Sequence, residues 1–311
     1  MINITKPLSQ ESAAALGLFD GVHLGHQKVI SAAVRSKAEG LLPCAFTFNT
    51  ETFPKKHGKP FEFLCTEEHK KDILREMGIE RVYTGSFAEI GEMDGEGFCR
   101  DILKGILNVK KVFCGRDFRF GKGAAWGFSE LSEFGRQMNF EAVAVEAVNL
   151  EGSRVSSTRI REFLSGGKPE KAAELLGRPY EICGEVIHGK ALGRTISFPT
   201  INQRFCKGQL VPARGVYLSR VTTDGGKFFG VTNIGVKPTV SEENIPLAET
   251  NLFDFKGDLY GEYCVTELLR FLRPERKFDN ITALKAAISQ DCENARILAE
   301  TIQERKKFHG K

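Results

Sequence analysis

The chain has 311 residues, enough for about two domains on the usual prior of roughly 100–200 residues each. Hydrophobic residues make up 41% and charged residues 27%, which suits packed cores and excludes global disorder. Against 40 acidic residues stand 44 basic ones, a net charge of +4 that favours anionic ligands but falls short of a nucleic-acid binder's balance. No charged stretch at the start leads into an apolar one, and no run approaches about 18 apolar residues, so neither a signal peptide nor a membrane span is expected. Eight cysteines lack CxxC or zinc-ligand spacing, and most read as small core residues of a reduced, cytoplasmic protein.

Along the first half, apolar runs alternate with helical patterns. Ala13 to Phe19 predicts a buried strand, Asp20-Gly21 a turn, and Leu24 to about Ala38 a helix. The pair recurs as strand 45–48 and helix 67–77, strand 81–85 and helix 96–107, strand 111–114 and helix 128–138, then strand 140–148. Such alternation implies βαβ units and a parallel sheet, with ligands at the C-terminal strand ends. A short helix from Pro169 to Leu176 stops at Gly177, and Arg178-Pro179 opens a different pattern. From Cys183 to Phe271 the reading is β, with a hairpin signal in Thr222-Thr223-Asp224-Gly225-Gly226. Ile281, Leu284, Ile288, Ala295, Leu298 and Ile302 then recur at helical spacing after a cap at Asp279 or Asn280. The chain therefore divides into an α/β domain, 1–179, and a small barrel or sheet closed by a helix, 180–311.

The first chemical signal is Gly17-Leu18-Phe19-Asp20-Gly21-Val22-His23-Leu24-Gly25-His26, where the first strand meets the first helix. A helix N-terminus favours phosphate, Gly21 and Gly25 permit close backbone approach, and His23 and His26 share one helical face. Metal binding by the two imidazoles is the weaker alternative, since no third ligand is nearby. Gly115-Arg116-Asp117-Phe118-Arg119-Phe120-Gly121 follows the fourth strand of the pattern, and Ser156-Ser157-Thr158-Arg159-Ile160-Arg161 follows the fifth and opens a helix. The hydroxyls suit phosphate and Arg161 suits a bidentate clamp.

These three segments resemble the signatures of the flavin adenylyltransferase half of bacterial bifunctional riboflavin kinase/FAD synthetases. The resemblance implies a Rossmann-like nucleotidyltransferase domain with a parallel sheet. His23, His26 and Arg161 would be catalytic, and Gly17, Phe19, Asp20, Gly21, Gly25, Asp117, Ser156, Ser157 and Thr158 would contact ATP. One loop departs: the family's Thr-Phe-Asp-Pro-His-Pro-like segment reads Thr47-Phe48-Asn49-Thr50-Glu51-Thr52 here, without prolines.

In the second half, Gly184-Glu185-Val186-Ile187-His188-Gly189-Lys190-Ala191 nearly matches a Walker loop, but Ala191 replaces the Mg²⁺-holding hydroxyl and no helix follows. Gly121 to Trp126 likewise misses the last glycine of a dinucleotide fingerprint. The longer run through Gly193, Arg194 and Pro199-Thr200-Ile201-Asn202 instead resembles the riboflavin kinase signature. So do the segments that follow: 212–217, 233–239, 249–252 and 258–261. Thr200 and Asn202 offer hard oxygens at alternate strand positions, suited to Mg²⁺ held with ATP phosphates. The resemblance implies a small β-barrel closed by a helix, nucleotide contacts at Gly184, Gly189, Gly193 and Arg194, and Glu249 as the base for the riboflavin 5′-hydroxyl. Arg273 and Phe278 would line the flavin pocket.

The expected activity is synthesis of FMN from riboflavin, then of FAD from FMN, with ATP as co-substrate and Mg²⁺ as cofactor. The expected ligands are riboflavin, FMN, FAD and ATP, with no nucleic acid and no membrane partner. Two rivals stand beside it. One is an adenylyltransferase for another phosphorylated metabolite, which leaves Glu249 and the Pro199–Asn202 segment unexplained. The other is a non-catalytic flavin- or RNA-binding regulator, suggested by the altered loop after Phe48.

Overall fold

The computed structural model describes residues 2–49, 53, 61–188, 198–236 and 246–309, with the backbone alone for 2 and 305–309. Contacts divide the chain into two compact units, Met1–Ser157 and Thr158–Lys311.

In the first unit, six parallel strands form one sheet: β1 (Ile2–Asn3), β2 (Ser12–Leu16), β3 (Leu42–Phe48), β4 (Arg81–Gly85), β5 (Val109–Gly115) and β6 (Glu141–Val145), in the order β1-β4-β3-β2-β5-β6. Helices α1 (Leu24–Arg35), α2 (Glu67–Glu76), α3 (Phe98–Ile106) and α4 (Phe128–Gln137) connect them. The sheet is buried on both faces. Ala13 and Ala15 of β2 belong to one core with Ile30, Ala33 and Leu74, whereas Ala14 and Leu16 belong to another with Phe98, Leu103 and Leu131. Burial on both faces is why β2 reads as an unbroken apolar run. The strand order reverses at β2, with β3 on one side and β5 on the other, so the crevice at their C-terminal ends is where such a sheet takes a ligand.

The sequence reading of 96–107 as one ordinary helix is corrected to a three-residue α-turn, Gly95–Gly97, followed by π-helical α3. A small hairpin, β7 (Asn149–Leu150) and β8 (Ser153–Arg154), also follows β6.

The second unit opens with α5 (Ser157–Ser165, its first residue still in the first unit) and α6 (Pro169–Leu176). Six antiparallel strands follow: β9 (Tyr180–Glu185), β10 (Ile201–Arg204), β11 (Gly215–Thr223), β12 (Gly226–Val236), β13 (Pro246–Leu252) and β14 (Tyr263–Pro274), in the order β10-β13-β12-β11-β14-β9. The two ends approach each other. Ile187 N–H donates to the Asn202 carbonyl at 2.8 Å, and Gln203 Nε2 donates to Gly184 O at 3.1 Å and Cys264 O at 2.8 Å, so the sheet nearly closes into a barrel. Helix α7 (Ile281–His309) is capped by Asn280, whose Oδ1 accepts from Ala283 N–H at 2.9 Å. Ala295, Ala299 and Leu298 pack on Val216, Leu218 and Val231 of β11 and β12.

The helix pair α5–α6 therefore belongs with the barrel, whereas the sequence pattern suggests a division at 179/180. Ala213 N–H donates to Leu164 O at 2.9 Å, and Leu164, Leu175 and Leu176 are fully buried.

Candidate active sites

At the end of β2 the chain turns through Phe19 (φ 51), Gly21 (φ 75) and Val22 (φ 42), three left-handed residues in close succession. His23 then caps α1: its Nδ1 accepts from the His26 backbone N–H at 3.3 Å. The two imidazoles stack, 3.6 Å between centroids and 15° between planes. Gly25 makes the stack fit, because a Cβ there would lie 3.1–3.2 Å from the His23 ring.

Capping fixes the chemistry. Since Nδ1 of His23 accepts, its proton sits on Nε2. In His26 the Nδ1 atom is buried with no hydrogen-bond partner among the described residues. Burial first, then His23, Lys70 and Arg154, hold the His26 pKa well below the ordinary 6.5. The site thus presents two stacked imidazoles at a helix N-terminus, an arrangement suited to phosphate oxygens. Gly25→Ala tests the stack. Alanine should stabilise α1 by up to about 1 kcal/mol yet displace the His23 ring, so thermal stability should hold while turnover at this site falls several-fold.

Asp20 is buried, and its Oδ1 accepts from Leu64 N–H at 2.7 Å, while its carbonyl accepts from Ser157 Oγ at 3.0 Å. Its Oδ1 and its carbonyl hold the loop. Asp117, after β5, pairs with Arg154 at 2.7 Å, which lowers its pKa. Arg116 pairs with Glu146, and Arg119 donates to the carbonyls of Ala124 and Ala125. Phe120 is buried in the core, so most of this segment shapes its own loop. Thr158 and Arg161 lie on α5, in the second unit. Thr50, Glu51 and Thr52 lie outside the described residues.

In the second unit, strand register aligns three side chains. Asn202 of β10 stands opposite Glu249 of β13, and Asn233 of β12 stands opposite Glu249 from the other side. Directly opposed residues share a sheet face, so a carboxylate is flanked by two carboxamides. Asn202 is 4% exposed, and its Oδ1 has no hydrogen-bond partner among the described residues. Asn251 Nδ2 donates to Pro199 O at 2.8 Å, tying the turn before β10 to β13. Thr200 lines a pocket with Val186, Leu252, Asp258 and Tyr260, and the Tyr260 ring stacks on His188 at 3.7 Å. Gly184 lies within β9; Gly189, Gly193 and Arg194 fall outside the described residues.

Arg273 has a partner within the protein. Its guanidinium is held by Asp291 of α7 through bonds of 2.7–3.1 Å, and Phe278 lies 5.7 Å from its centre. That pair anchors α7 to β14.

Residues 5–159 match the family described as FAD synthetase, and residues 176–299 match the family described as riboflavin kinase. A bifunctional riboflavin kinase/FMN adenylyltransferase of Pseudomonas fluorescens is 35% identical over 305 residues, covering 94% of this chain and 95% of the relative. The chain belongs to the bifunctional riboflavin kinase/FMN adenylyltransferase family. The enzyme of the same name from Escherichia coli strain K12 is 32% identical over 301 residues, 93% of each chain. A solved chain from Streptococcus pneumoniae, described as a macrolide-efflux protein, matches with TM-score 0.83 and 29% identity over 94% of this chain and 96% of that one. Among the described residues no helix is long and apolar enough to cross a membrane.

The sequence reading gave no role to three polar residues in the two units. Lys70 and Arg154 stand close enough in the FMN adenylyltransferase unit to depress His26. Asn233 completes the riboflavin kinase row. Lys70 carried no signal, lying in the charged run Glu67-Glu68-His69-Lys70-Lys71 that reads as a solvated helix face.

Proposed function

We propose that the two units divide one synthesis according to the nucleophile each must activate. The second unit transfers the γ-phosphoryl group of ATP to the riboflavin 5′-hydroxyl, giving FMN. The first transfers AMP from ATP to FMN, giving FAD and pyrophosphate. An alcohol must lose its proton as the bond to phosphorus forms, so the kinase site needs an acceptor, and Glu249 is a carboxylate at that place. A phosphate monoester has its second pKa near 6 and is already anionic at neutral pH, so the adenylyltransferase site needs no base. It needs positive potential and N–H donors, and the imidazoles of His23 and His26 at the α1 N-terminus supply them.

The observation that carries this reading is the contrast itself. A carboxylate flanked by amides sits in one unit, and a stacked imidazole pair among cations sits in the other. Thr200 and Asn202 fit Mg²⁺, because both offer hard oxygens and the Asn202 Oδ1 is buried without a partner among the described residues. Bound there with ATP, the ion would neutralise charge on the transferring phosphoryl group. The test is riboflavin with ATP and Mg²⁺, separating FMN and FAD by chromatography. Both products should form in sequence, and a chain that yields neither does not have this function.

The activities should separate at the boundary between the units. A fragment of 158–311 should phosphorylate riboflavin and make no FAD. A fragment of 180–311 loses α5 and α6 and exposes the surfaces that Leu164, Leu175 and Leu176 cover, so it should melt at a lower temperature. Circular dichroism melts of the two fragments check this, and equal melting temperatures would return the boundary to 179/180.

A further inference from the structure

Lys70 is 1% exposed, a charged side chain enclosed by protein. Its three donors are satisfied by Thr47 Oγ1 at 3.2 Å, the Phe48 carbonyl at 3.2 Å and Glu67 Oε1 at 3.0 Å. Thr47 Oγ1 passes the connection on, donating to the Leu18 carbonyl at 2.8 Å. A second tie runs in parallel, from Leu64 N–H, just before the Thr66 cap of α2, to Asp20 Oδ1 at 2.7 Å. The α2 segment thus grips the loop at Leu18 and Asp20, on either side of left-handed Phe19. A non-glycine residue at positive φ persists only where its surroundings over-determine it.

We infer that Lys70 is a positioning residue for adenylyl transfer, holding the Gly17–Val22 loop through Thr47 so that the α1 N-terminus and both imidazoles face the polyphosphate. The inference rests on the adenylyltransferase reading of the first unit. An apolar side chain of similar length fills the same volume but leaves Thr47 Oγ1 free to rotate away from Leu18. The ammonium also acts through space. The charged and titratable groups facing His26 are His23 from its own loop, Lys70 from α2 and Arg154 from β8, and each pulls the His26 pKa down.

The test uses the full chain with Lys70→Met, Thr47→Val and the double variant, assayed for FAD from FMN and ATP. Riboflavin phosphorylation in the same preparations is the internal control. Lys70→Met should lower kcat for FAD formation about tenfold or more, with KM for ATP moving less, because positioning is lost rather than ground-state binding. Thr47→Val should lose several-fold, and the double variant should be no worse than Lys70→Met, since both break one chain of bonds. With the ammonium gone, the His26 pKa rises, so the acid limb of the rate profile should move to higher pH in Lys70→Met and stay in place in Thr47→Val. A Lys70→Met enzyme with wild-type kcat and acid limb overturns the inference, as do losses that multiply in the double variant. If Lys70→Met fails to fold, Thr47→Val decides: a several-fold loss supports the positioning role and a wild-type rate overturns it. A wild-type chain that makes no FAD would remove the adenylyltransferase reading itself, a result distinguishable from any of these.

Discussion

Replacing Glu249 with Gln should cut riboflavin phosphorylation by about 10²–10⁴-fold while FAD formation from supplied FMN continues unchanged. The side chain keeps its volume, and the register that sets it between Asn202 and Asn233 is made by backbone bonds that the substitution does not touch. What disappears is the ability to accept a proton. An alkyl hydroxyl is a poor nucleophile until that proton leaves, so the loss should fall on kcat, with the affinity for ATP retained. Single-turnover formation of FMN, with nucleotide binding measured separately, checks both halves of the statement. A kinase rate within threefold of wild type would remove Glu249 from the mechanism.

The reciprocal result is expected in the first unit. His26→Ala should lower FAD formation by about 10²–10³-fold, the usual cost of deleting one preorganised donor to developing charge, and leave riboflavin phosphorylation intact. His23 is more demanding to test because it also caps α1, and deleting a cap costs about 1 kcal/mol of stability by itself. His23→Asn separates the roles: asparagine caps well but has no imidazole, so the melting temperature should hold while FAD formation collapses. The depressed His26 pKa also fixes a sign. The unfolded chain binds a proton near pH 6.5 that the folded chain refuses, so His26 contributes acid lability as pH falls below about 6.5 and none above it. A His26→Ala protein should therefore be less acid-sensitive than wild type, as urea unfolding at two pH values would show.

Much of the fold was legible because it is written in local patterns. β4, predicted at 81–85, and α6, predicted from Pro169 to Leu176, match their observed bounds, since turn residues and helix stops flank both. The loop after β2 was legible because glycine and histidine are rare enough in combination to stand out. What escaped depends on partners far away in the chain. The Arg273 partner, Asp291, lies 18 residues on in another element. Lys70 looks solvated until β3 closes over it. The α5–α6 pair looks like the end of the α/β pattern, and only the packing of α6 against β9 and β14 and the Ala213–Leu164 bond to α5 assign it to the barrel. Periodicity reports which face of an element is apolar, not which neighbour will cover it.

The near-closed barrel has a thermodynamic corollary. Among the described residues, the β9–β10 seam is joined by Ile187 to Asn202 and by the Gln203 amide bridging Gly184 and Cys264, whereas β11 and β12 pair along nine positions. Asn202, the proposed cation ligand, sits on that seam. A nucleotide–metal complex held by Asn202 would bind the closed arrangement in preference to a parted one, so its binding free energy would add to the cohesion of that seam. Substrate occupancy and the local opening of the barrel are then two readings of one equilibrium.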